Sequence, residues 1–182
     1  MSARTVQEAL KPDTIAALKS YLCRADFEAI PLGGEVQMCA ALAPKETREA
    51  LHAAIQASTG KELEMLQCFC RFNDKDTDTT FRIHSDGEVE GEQPTVAAVY
   101  YVNGGHTGTA LFAHSVYGTY PAEWEERIHT ENDHNWIVTQ YADQRANDLF
   151  IYDARQYHSR WPAESADSRF VVVCFLKEKT ND

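Results

Sequence analysis

Apolar residues recur at three- and four-residue intervals before Leu63 and fall into short alternating or unbroken runs after it, so the chain is expected to change from helices to strands there. Ile15, Leu18 and Leu22 follow Pro12, which a first helical turn tolerates, and the chain then turns at Pro31 and Gly33-Gly34. A second helix opens at Pro44, carries Ala50, Leu51, Ala54 and Ile55 as its apolar stripe, and stops at Gly60, a residue suited to the position past a helix end. Residues 1–62 thus read as a helical part that buttresses one face of a sheet.

The segments Met65 to Phe72, Thr79 to Ile83, Thr95 to Val102, Thr109 to Ala113, Trp136 to Tyr141, Leu149 to Tyr152 and Arg169 to Leu176 are short and rich in β-branched and aromatic residues, as strands are. Asn73-Asp74, Gly87, Asn103-Gly104-Gly105 and Asp167-Ser168 punctuate them as turns. Strands that follow two helices without alternating with further helices predict a mainly β fold, an antiparallel barrel or double-sheet jelly roll over residues 63–178. Ser115 to Asn135 fits neither rhythm and reads as an insertion over one end of the barrel, with a short helix from Pro121 to Ile128.

Composition narrows the class. The chain has 182 residues, 43% of them apolar and 25% charged, which suits one domain with its own core. Its longest apolar runs, Val96 to Val102 and Phe170 to Leu176, fall far short of the roughly 20 residues a bilayer requires. The first ten residues show no signal-peptide pattern, and five cysteines are an odd number for a disulfide framework, so a reducing cytosol is the expected location. A formal charge of -11 repels phosphate backbones and anionic membranes, which argues against nucleic-acid binding.

The chemistry concentrates around two histidines. His84-Ser-Asp86 puts an imidazole and a carboxylate two residues apart, on the same face of an extended segment and about 7 Å apart along it. The pattern alone is common by chance, and His129-Thr-Glu131 is a near copy in the insertion, where helical geometry would point the pair apart. What distinguishes His84 is its context at the end of a strand, with His158 following the strand Leu149 to Tyr152, where a barrel would return it. Two imidazoles and one carboxylate form a facial set that leaves adjacent positions of a six-coordinate ion open, suited to non-haem Fe(II) activating oxygen. Arg169 opens the last strand, and its fork of donors fits a carboxylate in the same barrel.

His84-x-Asp86, His158 and Arg169, with strands between them and the glycine-led Gly108-Thr-Ala-Leu-Phe112, resemble the Fe(II)/2-oxoglutarate-dependent dioxygenases over roughly Leu66 to Leu176. The resemblance implies a double-stranded β-helix in which His84, Asp86 and His158 hold Fe(II) and Arg169 meets the distal carboxylate of 2-oxoglutarate. With O2 as the further cosubstrate, the reaction would release succinate and CO2 while oxidising a substrate C–H bond. Arg71-Phe72-Asn73 is similar to the Arg-Tyr pair of the prolyl-hydroxylase-like branch, with phenylalanine replacing the tyrosine; Tyr100, Tyr101 or Asn73 could supply the missing contact. Halogenating relatives lack the carboxylate that Asp86 provides, so hydroxylation or desaturation is expected, on a small molecule or on a peptide or protein side chain.

Other signals resolve into packing or remain alternatives. Asp74-Lys-Asp76-Thr-Asp78 opens like a calcium loop, yet Thr79 stands where glycine is needed and Ser85 where a bidentate glutamate belongs. Cys68-Phe-Cys70 has no second closely spaced thiol pair to complete a zinc site and reads as inert buried thiols. Asn103 to Gly108 lacks the dinucleotide glycine order. Trp124, Trp136, Tyr117 and Tyr120 read as packing of the insertion. Arg82, Arg155 and Arg160 could form a cationic rim for an anionic substrate, or pair with Asp153 and Glu164. The alternatives to the dioxygenase are a cupin-type metalloenzyme without 2-oxoglutarate, which would want another histidine where Asp86 stands, and a non-catalytic binding module on the same barrel.

Overall fold

A computed structural model describes residues 1–31, 37–74, 76–77, 82–121, 128–129, 135–162 and 168–179. The helices are α1 (Pro12–Leu22) and α2 (Lys45–Thr59). The strands are β1 (Arg4–Val6), β2 (Glu28–Pro31), β3 (Gln37–Leu42), β4 (Leu63–Asn73), β5 (Ile83–His84), β6 (Val96–Tyr101), β7 (Gly108–His114), β8 (Ile128–His129), β9 (Trp136–Ala142), β10 (Leu149–Asp153), β11 (His158–Trp161) and β12 (Arg169–Glu178). They form a seven-stranded sheet, β1-β10-β6-β12-β4-β3-β2, and a five-stranded sheet, β8-β5-β11-β7-β9, with every pairing antiparallel. The two sheets make the jelly roll that the sequence predicts.

Both helices begin and end where the pattern places them. Pro12 occupies the first turn of α1, and Gly60 ends α2 with φ +69°, a left-handed conformation that costs glycine little. Leu18, Leu51 and Ile55 are buried against the outer face of the large sheet, among Cys68, Cys70, Val172 and Cys174. The opposite faces of the same strands line the space between the sheets with Val99, Tyr101, Phe150, Tyr152, Val171 and Val173. The central strands are therefore apolar on both faces, which is why β6 and β12 read as unbroken apolar runs.

Residues 1–62, expected to be helical, also contribute β1, β2 and β3 to the large sheet. The three strands have only three to six residues, too few to establish a rhythm against the neighbouring helices, and β2 is exposed throughout. The expected turn at Gly33-Gly34 and most of the expected strand Thr79 to Ile83 lie outside the described residues; Ile83 continues into His84 as β5. Of the expected helix Pro121 to Ile128, residues 122–127 lie outside as well, while Ile128 and His129 form a strand paired with β5 in place of a helical end.

Gly108 has a steric role. A Cβ there would lie 1.9 Å from the Ala142 carbonyl oxygen, so the crossing of β7 and β9 leaves no room for a methyl group. Gly108→Ala is expected to force these strands apart at a cost of roughly 2–3 kcal/mol, lowering the unfolding midpoint by about 4–10 °C in a thermal melt.

Candidate metal centre

His84 and His158 face each other as direct partners across β5 and β11, and their ring centroids are 4.3 Å apart. Asp86 follows β5 in a loop held by its own backbone N–H, which donates to the Ala154 carbonyl at 3.1 Å. Its Oδ1 lies 3.9 Å from Nε2 of His84 and 3.5 Å from Nε2 of His158. One donor atom from each of the three side chains falls within 4.8 Å of the others, the one such group among the described residues.

The backbone fixes which nitrogen each ring presents. His84 Nδ1 lies 3.3 Å from the Arg82 carbonyl and His158 Nδ1 lies 2.9 Å from the Gln156 carbonyl. A carbonyl only accepts, so Nδ1 carries the hydrogen and the Nε2 lone pair is left to face Asp86. Burial, with His158 beside it, pushes His84 down to about 3, and burial pushes His158 down to about 4. Both rings are neutral at physiological pH, the form that binds metal, and they supply no positive charge to the buried Asp86 carboxylate. A divalent ion held by the three would supply it. Donors about 2.1 Å from a shared octahedral ion sit about 3 Å apart, so the three residues fit one after small side-chain rotations.

Arg169 lies deeper in the same cavity, 5% exposed, at the first position of β12. Its Nη2 donates to Thr109 Oγ1 at 3.3 Å, and the same oxygen accepts the Tyr101 hydroxyl at 2.7 Å. The guanidinium carbon is 5.7 Å from the centre of the Tyr101 ring. Burial lowers the Arg169 pKa, but an arginine remains cationic, so the fold maintains a desolvated positive charge there. Asn103 pins the start of the strand, its side chain accepting from Phe170 N–H and donating to the Ser168 carbonyl. The turn Asn103-Gly104-Gly105 thus braces the strand that carries the arginine.

Of the three residues named as substitutes for the absent tyrosine, the pleat of β6 turns one away from the cavity. Tyr100 faces the helices and donates to Asn147. Tyr101 faces inward beneath Arg169. Asn73, directly opposite Arg169 on β4, is buried on the cavity wall, and its Oδ1 meets no hydrogen-bond partner among the described residues.

Two residues that the sequence left without a role complete the inner wall. The Tyr152 ring is 4.8 Å from His158 and its hydroxyl pKa is raised, first by burial and then by Asp86. Arg71 is close enough to depress the pKa of both histidines by its charge. Of the suspected rim, Arg82 and Arg160 line the cavity, whereas Arg155 donates to the Pro121 carbonyl at 3.4 Å. The cysteines expected to be inert lie in the helix-side core, where burial pushes Cys70 up to about 12 and the sulfurs of Cys68 and Cys174 touch at 3.4 Å. In the acidic loop, Asp74 Oδ1 accepts the N–H groups of Asp76 and Thr77, the bonding of a turn.

The cavity that holds the triad and Arg169 has a volume of about 830 Å³, toward the upper end for small-molecule sites.

No protein family and no curated protein is matched by the sequence. Solved structures do match. The epimerase SnoN in complex with Fe3+, alpha ketoglutarate and nogalamycin RO is 14% identical, with a TM-score of 0.61 over 97% of this chain and 78% of that one. HygX from Streptomyces hygroscopicus, bound to nickel, 2-oxoglutarate and hygromycin B, is 11% identical, with a TM-score of 0.65 over 97% and 82%. A Pseudomonas putida prolyl-4-hydroxylase is 14% identical, with a TM-score of 0.56 over 98% and 93%. The chain has the double-stranded β-helix fold that these 2-oxoglutarate-binding enzymes and the prolyl hydroxylase share.

Proposed function

We propose that this chain is an Fe(II)- and 2-oxoglutarate-dependent dioxygenase that hydroxylates a small molecule or a peptide or protein side chain, with residues 1–182 acting as one domain. The observation that carries the reading is the convergence of His84, Asp86 and His158 within 4.8 Å on the wall of a cavity whose inner end holds the buried Arg169. His84, Asp86 and His158 would hold the iron, and Arg169 the distal carboxylate of 2-oxoglutarate. When bound, Fe(II), 2-oxoglutarate and O2 supply the oxidant for the C–H bond and release succinate and CO2.

The chain's own part is placement and exclusion of water. The Arg82 and Gln156 carbonyls set the ring tautomers, Asp86 adds the anionic donor, and Tyr101 with Thr109 holds the Arg169 fork in one orientation. Val99, Val171 and Val173 keep the wall between the two ends apolar, which strengthens the charge contact at Arg169. Arg82 and Arg160 support an anionic group on the substrate. No helix among the described residues is long and apolar enough to cross a membrane, and five free cysteines support a cytosolic location.

The cupin-type reading gains nothing from the site, which offers one carboxylate where a further histidine would be needed. The test is anaerobic titration of the protein with Fe(II) and 2-oxoglutarate. A metal-to-cosubstrate charge-transfer absorption is expected, followed under air by succinate formation. Binding of neither metal nor cosubstrate would reject the oxygenase; binding without succinate, across substrate candidates, would favour the binding module.

A further inference from the structure

We propose that Asn73 is the second anchor of the cosubstrate, its amide closing a nest of donors beside Arg169 around the distal carboxylate of 2-oxoglutarate. This rests on the oxygenase reading, because it completes the site of the anion that Arg169 would hold.

Strand register sets the position. Asn73 ends β4, Arg169 opens β12, and the two are direct partners in the antiparallel ladder. Direct partners project to the same side of a sheet, with Cβ atoms about 4.5–5.5 Å apart. Both side chains line the cavity and both are nearly shut off from water, at 2% and 5% exposure. Residue 72 is on the other face. The Phe72 ring lies 4.6 Å from Phe170 and 6.1 Å from Phe27, rings that pack against the helix-side core. A hydroxyl added there as tyrosine would point away from the cavity, so the contact expected of it falls to the next residue along the strand.

The inner end of the cavity holds hydrogen-bonding capacity that the chain does not use. Asn73 Oδ1 and Arg169 Nε are both buried, and neither has a partner among the described residues. One accepts and the other donates, across a single rung of the ladder. Thr109 Oγ1 already accepts from Arg169 Nη2 and from the Tyr101 hydroxyl, so its own hydrogen remains to be given. Buried polar atoms left unpaired are costly, and three of them at one end of one cavity mark a place that a ligand completes.

Charge gives the sign of that ligand. After burial, the groups that act most on Arg169 are Tyr101, Arg71, Arg160 and Tyr152, with no carboxylate among them. A carboxylate brought in by the cosubstrate has two oxygens and about four lone pairs, enough to accept from the Arg169 fork, the Thr109 hydroxyl and an Asn73 N–H together. Asn73 then turns Oδ1 to the Arg169 Nε–H and Nδ2 to the ligand, so one amide serves both. Aspartate at this position has the shape but not the donor: it would neutralise Arg169 and repel the diacid.

The experiment titrates Fe(II)-loaded protein anaerobically by calorimetry and by charge-transfer absorption, in wild type, Asn73→Ala, Asn73→Asp and Phe72→Tyr. The ligands are 2-oxoglutarate and 2-oxobutyrate, which keeps the 2-oxo acid and lacks the distal carboxylate. Asn73→Ala is expected to lose roughly 10- to 150-fold in 2-oxoglutarate affinity, the range for a hydrogen bond to a charged group, and Asn73→Asp at least as much. Fe(II) affinity and 2-oxobutyrate affinity should stay near wild type in both, which a general disturbance of the fold would not allow. Phe72→Tyr should leave 2-oxoglutarate affinity unchanged and fail to rescue Asn73→Ala. Should alanine unfold the chain, the nearly isosteric Asn73→Asp carries the same comparison. Unchanged 2-oxoglutarate affinity, equal losses for the two ligands, or rescue by Phe72→Tyr would overturn the proposal and leave the oxygenase reading standing. Loss of 2-oxoglutarate in Asn73→Ala without charge-transfer absorption in wild type removes the oxygenase reading and leaves Arg169 and Asn73 as a dicarboxylate site; a wild type that binds no 2-oxoglutarate removes both.

Discussion

His158→Ala is expected to abolish succinate formation and to weaken Fe(II) binding by more than about 100-fold, since loss of groups that merely orient a metal ligand already costs 10–100-fold. His158 offers one of the two nitrogen donors in the set and lies closer to Asp86 than His84 does, at 3.5 Å against 3.9 Å. The fold has little reason to fail with it. The ring is neutral when buried, so its removal strands no charge, and the strand register that pairs His158 with Leu111 and His84 is made by backbone groups that alanine keeps. The space left opens into a cavity that already exists. A variant with native circular dichroism and no metal affinity is therefore expected. His129→Ala is the control: it removes a histidine from the other His-x-acid pair and should leave metal affinity unchanged. Native Fe(II) affinity in His158→Ala would refute the assignment of the triad.

The triad was legible because metal chemistry restricts residue types and because strand periodicity alone puts His84 and Asp86 on one side. Pairing brought in His158, whose distance in sequence hides that it sits directly across from His84. Arg169 was legible through alternation, with Phe170, Val172 and Cys174 going to the helices and Arg169 to the cavity. Tyr152 was not legible. Leu149 to Tyr152 is buried on both faces, so no polar alternation distinguishes the side that meets His158 from the side that meets the helices. Arg71 shows in the sequence only as a motif member, because its nearness to both histidines arises across two sheets. The short strands β2 and β3 are hidden for a different reason: β2 is exposed throughout and β3 buries only the small Ala40 and Ala41, so hydrophobic rhythm has little to report. What the sequence hid is thus mainly part of the cavity wall.

Arg169→Ala separates the cosubstrate site from the metal site. Truncating one partner of a buried, hydrogen-bonded charge pair costs about 2–5 kcal/mol, or roughly 30- to 5,000-fold in affinity, and 2-oxoglutarate should lose binding on that scale. The lower half of the range is expected here, because Arg71 and Arg160 act on the same region and leave some positive potential behind. Fe(II) affinity should stay near wild type, since neither Thr109 nor Tyr101, the residues that hold the guanidinium, belongs to the triad. Arg169→Lys should recover only part of the loss, as an ammonium keeps the charge but cannot donate both parallel bonds to a carboxylate. Stability moves the other way. Without cosubstrate this guanidinium is desolvated at a cost that the long bond to Thr109 and the Tyr101 contact offset only in part, so Arg169→Ala should unfold no earlier than wild type. Measured together, a raised KM for 2-oxoglutarate, unchanged metal affinity and an undiminished Tm would identify Arg169 as the anchor of the cosubstrate's distal carboxylate. An unchanged KM would show that the diacid binds elsewhere in the cavity.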